Sequence, residues 1–419
     1  MTDRLRVRAD RRGPAYDLLA AYVAPEGFFM EREGLGVAAG SSVATRVTVD
    51  ASTRPELRRL AGDASAVFRA ISTDVGSGVA AVAMGVIPFE EASPAILRLP
   101  SRAVRRDEVG VTWAVELADD DVGPVDPPAA ERVPGSGPHD AFLPVQLREE
   151  PSADAYARAV AGAVEAIHAG GLDKVVLART LVVEAGRQLD PRRLVHRLRA
   201  VEPHGYTFAV PTATGATLVG ASPELLLERR GATVRSNPLA GSAPRSGDPD
   251  EDRANAEALE GSSKDREEHA LVVAAVAEIL GDLCDDLAFD HEPVLLPTAN
   301  VWHLSTRFRG TLRDPGLSAL DVVAELHPTP AVCGTPTSVA RAAIGEAESF
   351  TRGSYAGPVG WVDSNGDGVW AIALRCAELE ETSARLFAGA GIVAGSEPDR
   401  EVDETGRKFR AFLDSLRWG

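Results

Sequence analysis

Residues 385–408 combine glycines, carboxylates and a lysine at spacings that could bind ions. The pattern predicts an apolar strand, a tight turn at 389–391, a polar loop and a helix start. On that helix Glu401, Glu404 and Lys408 are three and four residues apart, so they share one face. Carboxylates can hold a hard cation and a lysine can meet an anion. The alternative is an exposed Glu–Lys pair, which would stabilise the helix by about 0.2–0.5 kcal/mol.

Lysine is rare in this chain. Of the 44 Lys and Arg residues only Lys174, Lys264 and Lys408 are lysines, and 41 are arginines. We interpret this bias as a sign that lysine is kept where a compact amine is needed and a planar guanidinium would not serve. Drift could also leave three by chance, yet each lies in a stretch with other chemical features.

Two further residues have the pattern of an acid–base pair. Lys174 follows a double glycine and begins the apolar run KVVLARTLVVEA, where a partly desolvated amine could act as a base. Glu224 follows a proline and precedes three leucines, and a carboxyl group in apolar surroundings tends to stay protonated. The alternatives are an exposed lysine at a strand end and a solvated glutamate in a turn.

Glu268 and His303 are candidates of a different kind. Glu268 falls on the inward face of a helix predicted over about 263–284, and a buried carboxylate needs a cation nearby. Arg266 is the simple partner and Mg2+ the more specific one. His303, in NVWHLSTRF, is by pattern more typical of a core histidine than of a catalytic one.

Two short motifs do not fit their context. Residues 389–394 match the dinucleotide pattern GxGxxG/A, but no βαβ unit surrounds them. Residues 363–368 match the start of a calcium loop, but Leu374 stands where the bidentate glutamate should be. We therefore interpret the second segment as a hairpin turn.

Composition narrows the function classes. The net charge is −18 and the sequence pI is about 5.0, which argues against nucleic acid or anionic membrane as the main partner. The charged N-terminus has no signal-peptide core, and no window has the apolar length of a membrane span. We expect a cytoplasmic protein whose three cysteines are core residues in a reducing compartment: Cys284, Cys333 and Cys376.

The elements that must position these residues are strands with interspersed helices. Strands are predicted at 79–89, 94–106 and 110–117 in the first part of the chain, and 119–139 is a predicted surface linker. Later segments predict further helices capped by Ser152, Asp190 and Ser262 or Ser263, and strands over 206–212 and 216–222. The absence of regular βαβ alternation indicates an α+β fold with large, mostly antiparallel sheets.

The order of the motifs resembles the chorismate-utilising enzymes, which include isochorismate, salicylate, anthranilate and aminodeoxychorismate synthases. The resemblance rests on DKVVLAR, SPELLLE, NPLAGSAPR, SSKDREEHA, VWHLSTRF, LHPTPAVCGTP, SYAGPVGWVDSNGDG, AIALRCAEL and AGAGIV…DET. It implies one domain over 1–419, with a variable part at 1–144 and a chorismate-binding part at 145–415. The implied fold has two big sheets packed together with helices outside, as in anthranilate synthase component I.

The resemblance also implies roles for individual residues. Lys174 would activate water for attack at C2 of chorismate, and Glu224 would protonate the departing C4 hydroxyl from the other face. Mg2+ would be held by Glu268 and Glu404, with Glu401 and Asp265 as outer partners. The substrate would be bound by Arg375, Lys408 and the backbone N–H groups at Gly389 and Gly391, with Gly241 and Ser242 at the ring carboxylate and His303 against the ring.

The choice within the family depends on a few positions. Lys174 resembles the water-activating synthases, and PLAGS replaces the lysine-containing motif of aminodeoxychorismate synthases. Ala331 resembles isochorismate synthases, whereas salicylate synthases tend to have Thr; Tyr355 is weakly diagnostic. The resemblance therefore favours a Mg2+-dependent, monomeric isochorismate synthase serving siderophore or menaquinone biosynthesis. A bifunctional salicylate synthase is the alternative, followed by an aminating synthase or an inactive chorismate- or metal-binding relative.

Overall fold

The structure is a computed structural model that describes residues 6–13, 16–49, 54–73, 79–90, 93–107, 109–118 and 145–417. The predicted linker at 119–139 lies outside the described residues. The described helices are one short 3-10 helix (Leu18–Ala21) and α1 (Arg54–Ala70), α2 (Ala153–Ala169), α3 (Pro191–Val201), α4 (Pro249–Gly261), α5 (Ser263–Leu283), α6 (Ala319–Leu326), α7 (Thr337–Ala347) and α8 (Pro398–Arg417).

Strands make up most of the remaining regular structure. The described strands are β1 (Arg6–Arg12), β2 (Phe28–Arg32), β3 (Leu35–Ala39), β4 (Val43–Val49), β5 (Ser72–Thr73), β6 (Val82–Val86), β7 (Ala95–Pro100), β8 (Arg102–Arg106), β9 (Thr112–Ala118), β10 (Val145–Glu150), β11 (Lys174–Ala185), β12 (Tyr206–Pro211), β13 (Thr217–Ser222), β14 (Leu225–Arg230), β15 (Thr233–Asn237), β16 (Leu239–Pro244), β17 (Ala288–Phe289), β18 (Val294–Pro297), β19 (Val301–Ser305), β20 (Phe308–Thr311), β21 (Gly334–Thr335), β22 (Pro358–Asp363), β23 (Gly368–Ile372), β24 (Cys376–Glu380) and β25 (Ser383–Ile392).

Two large sheets and one small sheet organise these strands. The first has 13 strands in the order β10-β11-β25-β24-β13-β12-β2-β3-β8-β9-β1-β5, with β21 paired to β11. The second has nine strands in the order β17-β20-β15-β14-β23-β22-β6-β7-β4, and the third is β16-β19-β18. Among the described strands β1 and β5 form the one parallel pair. The predicted α+β fold with large, mostly antiparallel sheets is therefore confirmed.

Helix starts follow the predicted capping signals. Ser152 accepts a hydrogen bond from Ala155 N at the start of α2, and Asp190 caps α3 with Pro191 in its first turn. Ser262 caps α5 through Asp265 N. Each cap satisfies a backbone N–H that the helix itself leaves unpaired. These helix starts agree with the sequence prediction.

Several predicted boundaries were wrong. The tight turn expected at 389–391 does not exist, because β25 runs unbroken to Ile392 and pairs with β11 along that stretch. The single strand expected over 94–106 is divided into β7 and β8, which belong to different sheets. In the stretch 79–89 only Val82–Val86 is strand. Helix α4 is an element that the sequence reading missed.

Packing joins the two large sheets through one hydrophobic cluster. Val175 of β11, Phe208 of β12, Leu227 of β14 and Trp370 of β23 all belong to it and are fully buried. A second cluster packs α3 and α8 on the 13-stranded sheet. The three cysteines are buried thiols, as predicted. In the part of the chain that the structure describes, every helix is too short or too polar to cross a membrane.

Two of the links that cross between the large sheets lie next to each other. Glu224 lies in the link from β13 to β14, and Arg375 lies in the link from β23 to β24. The links are hydrogen-bonded across both sides, since Ile372 N donates to Glu224 O at 3.2 Å and Ala221 N donates to Arg375 O at 3.2 Å. Two ionisable side chains are thus fixed where strands of both sheets end, which creates a polar site within an apolar core.

Candidate active site

One cavity lies at this crossover and collects most of the predicted site residues. Its lining includes Val176, Leu374 and Phe387 as apolar neighbours. The predicted residues that line it are Glu224, Gly241, Ser242, Glu268, His303, Ala331, Arg375, Gly389, Gly391, Glu404 and Lys408. Lys174 and Glu401 are not in the lining. Lys174 contacts Glu268 of the lining, with 3.1 Å between Nζ and Oε1, and Glu401 contacts Lys264.

Lys174 is fully buried at the first position of β11. Its Nζ lies 3.1 Å from Glu268 Oε1, and no hydrogen-bond acceptor among the described residues is in bonding geometry to that amine. Glu268 projects from the inward face of α5, as predicted, while Glu267 is exposed. The expected simple partner Arg266 instead pairs with Glu292. Lys174 is therefore a buried amine with a single, poorly aligned ion-pair partner.

The acidic residues of α5 and α8 meet beside this pair. Lys264 Nζ lies 3.1 Å from Glu401 Oε1 and 3.9 Å from Glu268 Oε2. Lys408 Nζ donates to Glu404 Oε1 at 2.5 Å and to Gly389 O at 2.8 Å. All three lysines of the chain thus converge on one carboxylate cluster, whereas arginines pair with carboxylates elsewhere.

The two glutamates of α8 have opposite pKa shifts. Burial and the charge of Glu404 raise the pKa of Glu401 to about 7, although Lys264 opposes the shift. Burial would also raise the pKa of Glu404, but the charges of Lys408 and Lys264 and the hydrogen bond from Lys408 outweigh it and lower the pKa to about 2. Glu404 is the member of the pair that stays ionised, because its cations are closer.

A buried arginine fixes α8 over the strand that carries Lys174. Arg179 of β11 donates to Thr405 Oγ1 at 2.9 Å and to Val402 O at 3.1 Å. Its guanidinium also lies 5.4 Å from the centre of the Phe409 ring. These contacts hold the helix face with Glu401, Glu404 and Lys408 at a fixed distance from β11.

Glu224 is a buried carboxyl group that keeps its proton at neutral pH. Burial raises the pKa of Glu224 to about 8, although Lys174, the backbone N–H of Leu239 and Lys408 act to lower it. Its side chain is almost completely excluded from solvent yet lines the cavity. The group can therefore donate a proton to a molecule bound there.

His303 and Arg375 form a hydrogen-bonded chain. His303 Nδ1 lies 3.2 Å from Gly241 O and must carry the proton to donate there, which leaves Nε2 to accept from Arg375 Nη2 at 3.0 Å. Burial and the positive charges of Arg375 and Lys408 lower the pKa of His303 to about 3, so the ring is neutral. Arg375 has φ +49°, an unusual backbone for a non-glycine residue. The histidine thus orients the arginine in the cavity.

The glycines of β25 are required for a different reason from the turn that the sequence suggested. A Cβ on Gly391 would lie 2.0 Å from Glu268 Oε1 and 3.0 Å from Lys174 Cε. On β11, Val176 lies opposite Gly391 and Ala178 lies opposite Gly389. The N–H groups of Val176 and Ala178 donate to Cys333 O and Glu348 Oε1, respectively, and not to β25. The N–H groups of Gly389 and Gly391 therefore point away from β11. Strand β24 pairs with β25 only as far as Leu386.

Comparison with known proteins decides the family. The model of the family described as chorismate binding enzyme matches residues 134–417. The chain belongs to this chorismate-binding enzyme family. It is 42% identical over 339 residues to the isochorismate synthase DhbC of Bacillus subtilis, covering 80% of each chain.

Solved structures agree with this assignment. The DhbC protein of Bacillus anthracis, provisionally assigned as a 2,3-dihydroxybenzoate-specific isochorismate synthase, superposes with a TM-score of 0.82 at 36% identity, covering 96% of this chain and 99% of the other. Anthranilate synthase component I from Streptococcus pneumoniae has a TM-score of 0.67 at 21% identity, with 97% and 92% covered. The second match shows the fold alone, and it confirms the predicted fold type.

In this chorismate-binding enzyme, Lys264 is the site residue to which the sequence reading gave no role. The signal was available, because Lys264 is one of three lysines and stands four residues before Glu268. Its contact with Glu401 could not be foreseen, since α5 and α8 are more than a hundred residues apart in sequence. The helix assignments placed each charge on a face, and only the tertiary fold brought the faces together.

The carboxylates are suited to a divalent cation, but they are not arranged as a closed ligand set. Among the described residues no three His, Cys, Asp or Glu side chains surround one point in the manner of a metal site. Glu268 and Glu404 nevertheless line the same cavity and supply hard oxygen atoms. Mg2+ commonly takes one or two carboxylates and completes its shell with water and substrate oxygens. The residues present therefore fit Mg2+ with a substrate anion as co-ligand.

Proposed function

We propose that the protein is an isochorismate synthase, which isomerises chorismate by adding water at C2 of the ring while the C4 hydroxyl leaves. The observation that carries the proposal is Glu224, whose pKa of about 8 provides a protonated acid in the cavity at neutral pH. Lys174 is buried beside the same cavity, and Arg375 and Lys408 line it. The names of similar proteins support this reaction over the reactions of other members of the family.

The reaction needs one group to remove a proton and another to supply one. In its neutral form, the amine of Lys174 takes a proton from water as the water oxygen bonds to C2. The ring double bonds shift, the C4–O bond breaks, and Glu224 gives its proton to the departing hydroxyl. One water is added and one is released, so the product is an isomer of the substrate.

The two carboxylates of chorismate require cationic partners in an acidic protein. Arg375 and Lys408 supply positive charge in the cavity, and Arg375 is oriented by His303. The N–H groups of Gly389 and Gly391 point away from β11, so they could donate hydrogen bonds to an anion on that side of β25. Fixed donors of this kind hold a substrate in the reactive orientation at little entropic cost.

We further propose that Mg2+ binds between Glu268 and Glu404, with Glu401 as an outer partner. When bound, the cation would supply positive charge that neutralises a substrate carboxylate. The net charge of the cluster supports this assignment, because the carboxylates Glu268, Glu401 and Glu404, together with Asp265, outnumber the three lysines beside them.

A product assay tests the proposal directly. The protein is incubated with chorismate and Mg2+, and the products are separated by chromatography. We expect isochorismate, loss of turnover with a metal chelator, and a slower reaction for Glu224→Gln. Glu228→Gln is the matched control, since Glu228 pairs with Arg235 outside the cavity and should leave the rate unchanged.

Other products would overturn specific parts of the proposal. Salicylate together with pyruvate would identify a bifunctional salicylate synthase, and Ala331 in the cavity wall argues against that outcome. Binding of chorismate without any product would identify an inactive relative. Undiminished turnover in the chelator would remove the metal from the mechanism while leaving the acid–base roles intact. The likeness to the two DhbC proteins favours supply of isochorismate for dihydroxybenzoate formation.

A further inference from the structure

Lys264 reaches the carboxylate cluster from the solvent side. It lies in the first turn of α5, and its side chain keeps 24% of its surface exposed, unlike the fully buried Lys174. Its Nζ is 3.1 Å from Glu401 Oε1, 3.8 Å from Asp265 Oδ1 and 3.9 Å from Glu268 Oε2. The ammonium group therefore stands among the oxygens of three carboxylates that come from two helices.

Electrostatics explain why a cation is needed there. Glu268 and Glu401 are buried and the side chain of Glu404 is 13% exposed, so repulsion among their ionised forms would oppose packing of α8 against α5. The cluster raises the pKa of Lys264 although burial alone would lower it. A second cation bound to the same carboxylate oxygens would repel the ammonium group of Lys264 strongly at these distances.

We propose that Lys264 is a built-in counterion, which occupies the carboxylate cluster in the metal-free protein and must leave it when a divalent cation binds. This inference rests on the metal site proposed above and adds a competitor for it. The partly exposed, flexible stem allows the ammonium group to move toward solvent without disturbing α5. Lys264 thereby lowers the affinity for free metal and stabilises the metal-free enzyme.

The choice of lysine over arginine fits this role. An arginine could hold two carboxylate oxygens at once through its planar fork, and it would resist displacement. The chain uses arginine for nearly all other basic positions, including the pairs with Asp363 and Asp367. A lysine makes a point contact, so it can be exchanged for a metal ion.

Calorimetric titration of Mg2+ into the metal-free, substrate-free protein tests the inference. We expect Lys264→Met to bind Mg2+ about tenfold more tightly, because one unit of competing charge is removed from a partly exposed site. Lys264→Arg should bind it about tenfold more weakly through its two-pronged grip on the carboxylates. The control is Arg266→Gln. Arg266 lies two residues after Lys264 and pairs with Glu292, so the variant removes the same charge outside the cluster, and its Mg2+ affinity should stay within about twofold of wild type.

Thermal unfolding gives an independent readout. Metal-free Lys264→Met should melt below wild type, and saturating Mg2+ should remove most of the difference, since the metal replaces the lost charge. If wild type bound Mg2+ no more weakly than Lys264→Met, the role of Lys264 as a competitor would be wrong, while the metal site would stand. No Mg2+ binding by any variant would overturn the role of Lys264 as a competitor in the substrate-free protein, and no binding in the presence of chorismate as well would contradict the metal site itself. A lower melting temperature that Mg2+ does not correct would reduce Lys264 to a structural residue.

Discussion

Two buried ion pairs lie next to each other along β11 and differ in how completely they are satisfied. Arg352 pairs with Glu348 and donates to Val332 O at 2.8 Å and to Val176 O at 2.6 Å. Lys174, two residues from Val176 on the same strand, has one ion-pair contact of 3.1 Å, with Glu268. Both cations are fully buried. The difference lies in their partners and not in their exposure.

This difference separates a structural charge from a chemical one. A guanidinium whose three nitrogens all donate hydrogen bonds fixes the backbone around it, and its removal leaves an unpaired carboxylate. An amine with unused hydrogen-bonding capacity costs stability and is kept where it serves another purpose. The cavity is bordered by the Lys174–Glu268 pair, since Glu268 lines it. Each prediction below tests whether the two ion pairs behave as differently as their geometry implies.

The largest expected effect is on turnover of Lys174→Gln. Glutamine keeps a polar contact with Glu268 but cannot accept the proton of water, so kcat should fall by about 10^2–10^4-fold. Unfolding by urea should change little, because the amide replaces a weakly bonded amine. The rate is measured with chorismate and Mg2+ by chromatography. Wild-type turnover in this variant would remove Lys174 from the mechanism.

Arg352→Met should have the opposite profile. Removing the guanidinium leaves Glu348 buried and unpaired, which typically destabilises a protein by about 3–5 kcal/mol. The double variant Arg352→Met/Glu348→Met should recover part of that loss, since neither charge then remains buried. Urea unfolding measures both. If Arg352→Met and Lys174→Gln lowered stability equally, the distinction between a satisfied and an unsatisfied pair would be wrong.

The sequence predicted these groups individually better than it predicted their relations. Lys174, Glu224 and Glu268 were recognisable because each interrupts an apolar pattern, and the strand and helix that carry them begin where expected. The glycines of β25 were assigned to a turn, because glycine signals a turn more often than a close contact within a strand. That contact depends on Glu268, which is far away in sequence.

Helix α4 and the position of Lys264 show the same limit. Helix α4 is polar along most of its length, so hydrophobic periodicity is a weak signal for it. Lys264 contacts Glu401 across more than a hundred residues, and no local pattern reports such a distance. Composition was the better guide here, because the scarcity of lysine had marked all three residues that later met in the cluster.

Substitutions at the two glycines of β25 test the Lys174–Glu268 contact, with a smaller expected effect. In Gly391→Ala the new Cβ would meet Glu268 Oε1 at 2.0 Å and would push that carboxylate from Lys174. We expect kcat/KM to fall by about tenfold to a hundredfold, as for other small displacements of reacting groups. Gly389→Ala is the matched control, since its nearest contact is Tyr355 Oη at 3.0 Å and a smaller loss should result. Equal losses in the two variants would mean that the Glu268 contact does not matter.

Glu224 adds a buried carboxyl group that has neither kind of ion-pair partner. Its pKa of about 8 means that kcat/KM should decline as pH rises through about 8, by up to tenfold per pH unit, while Glu224→Gln should lose this limb. Stability should follow the same sign. Because the folded-state pKa lies above the ordinary glutamate pKa of about 4.5, the protonated carboxyl stabilises the fold at low pH, and this contribution is lost between about pH 4.5 and pH 8.

Comparison with Glu224→Gln isolates that contribution from other titrating groups. The free energy of unfolding of wild type, relative to the variant, should fall by a few kcal/mol between about pH 5 and about pH 9. Parallel curves for the two proteins would show that Glu224 is ionised in the folded state at neutral pH. The acid would then have to be sought elsewhere in the cavity, and burial would no longer distinguish the protonation state of Glu224 from that of the ion-paired carboxylates Glu268 and Glu348.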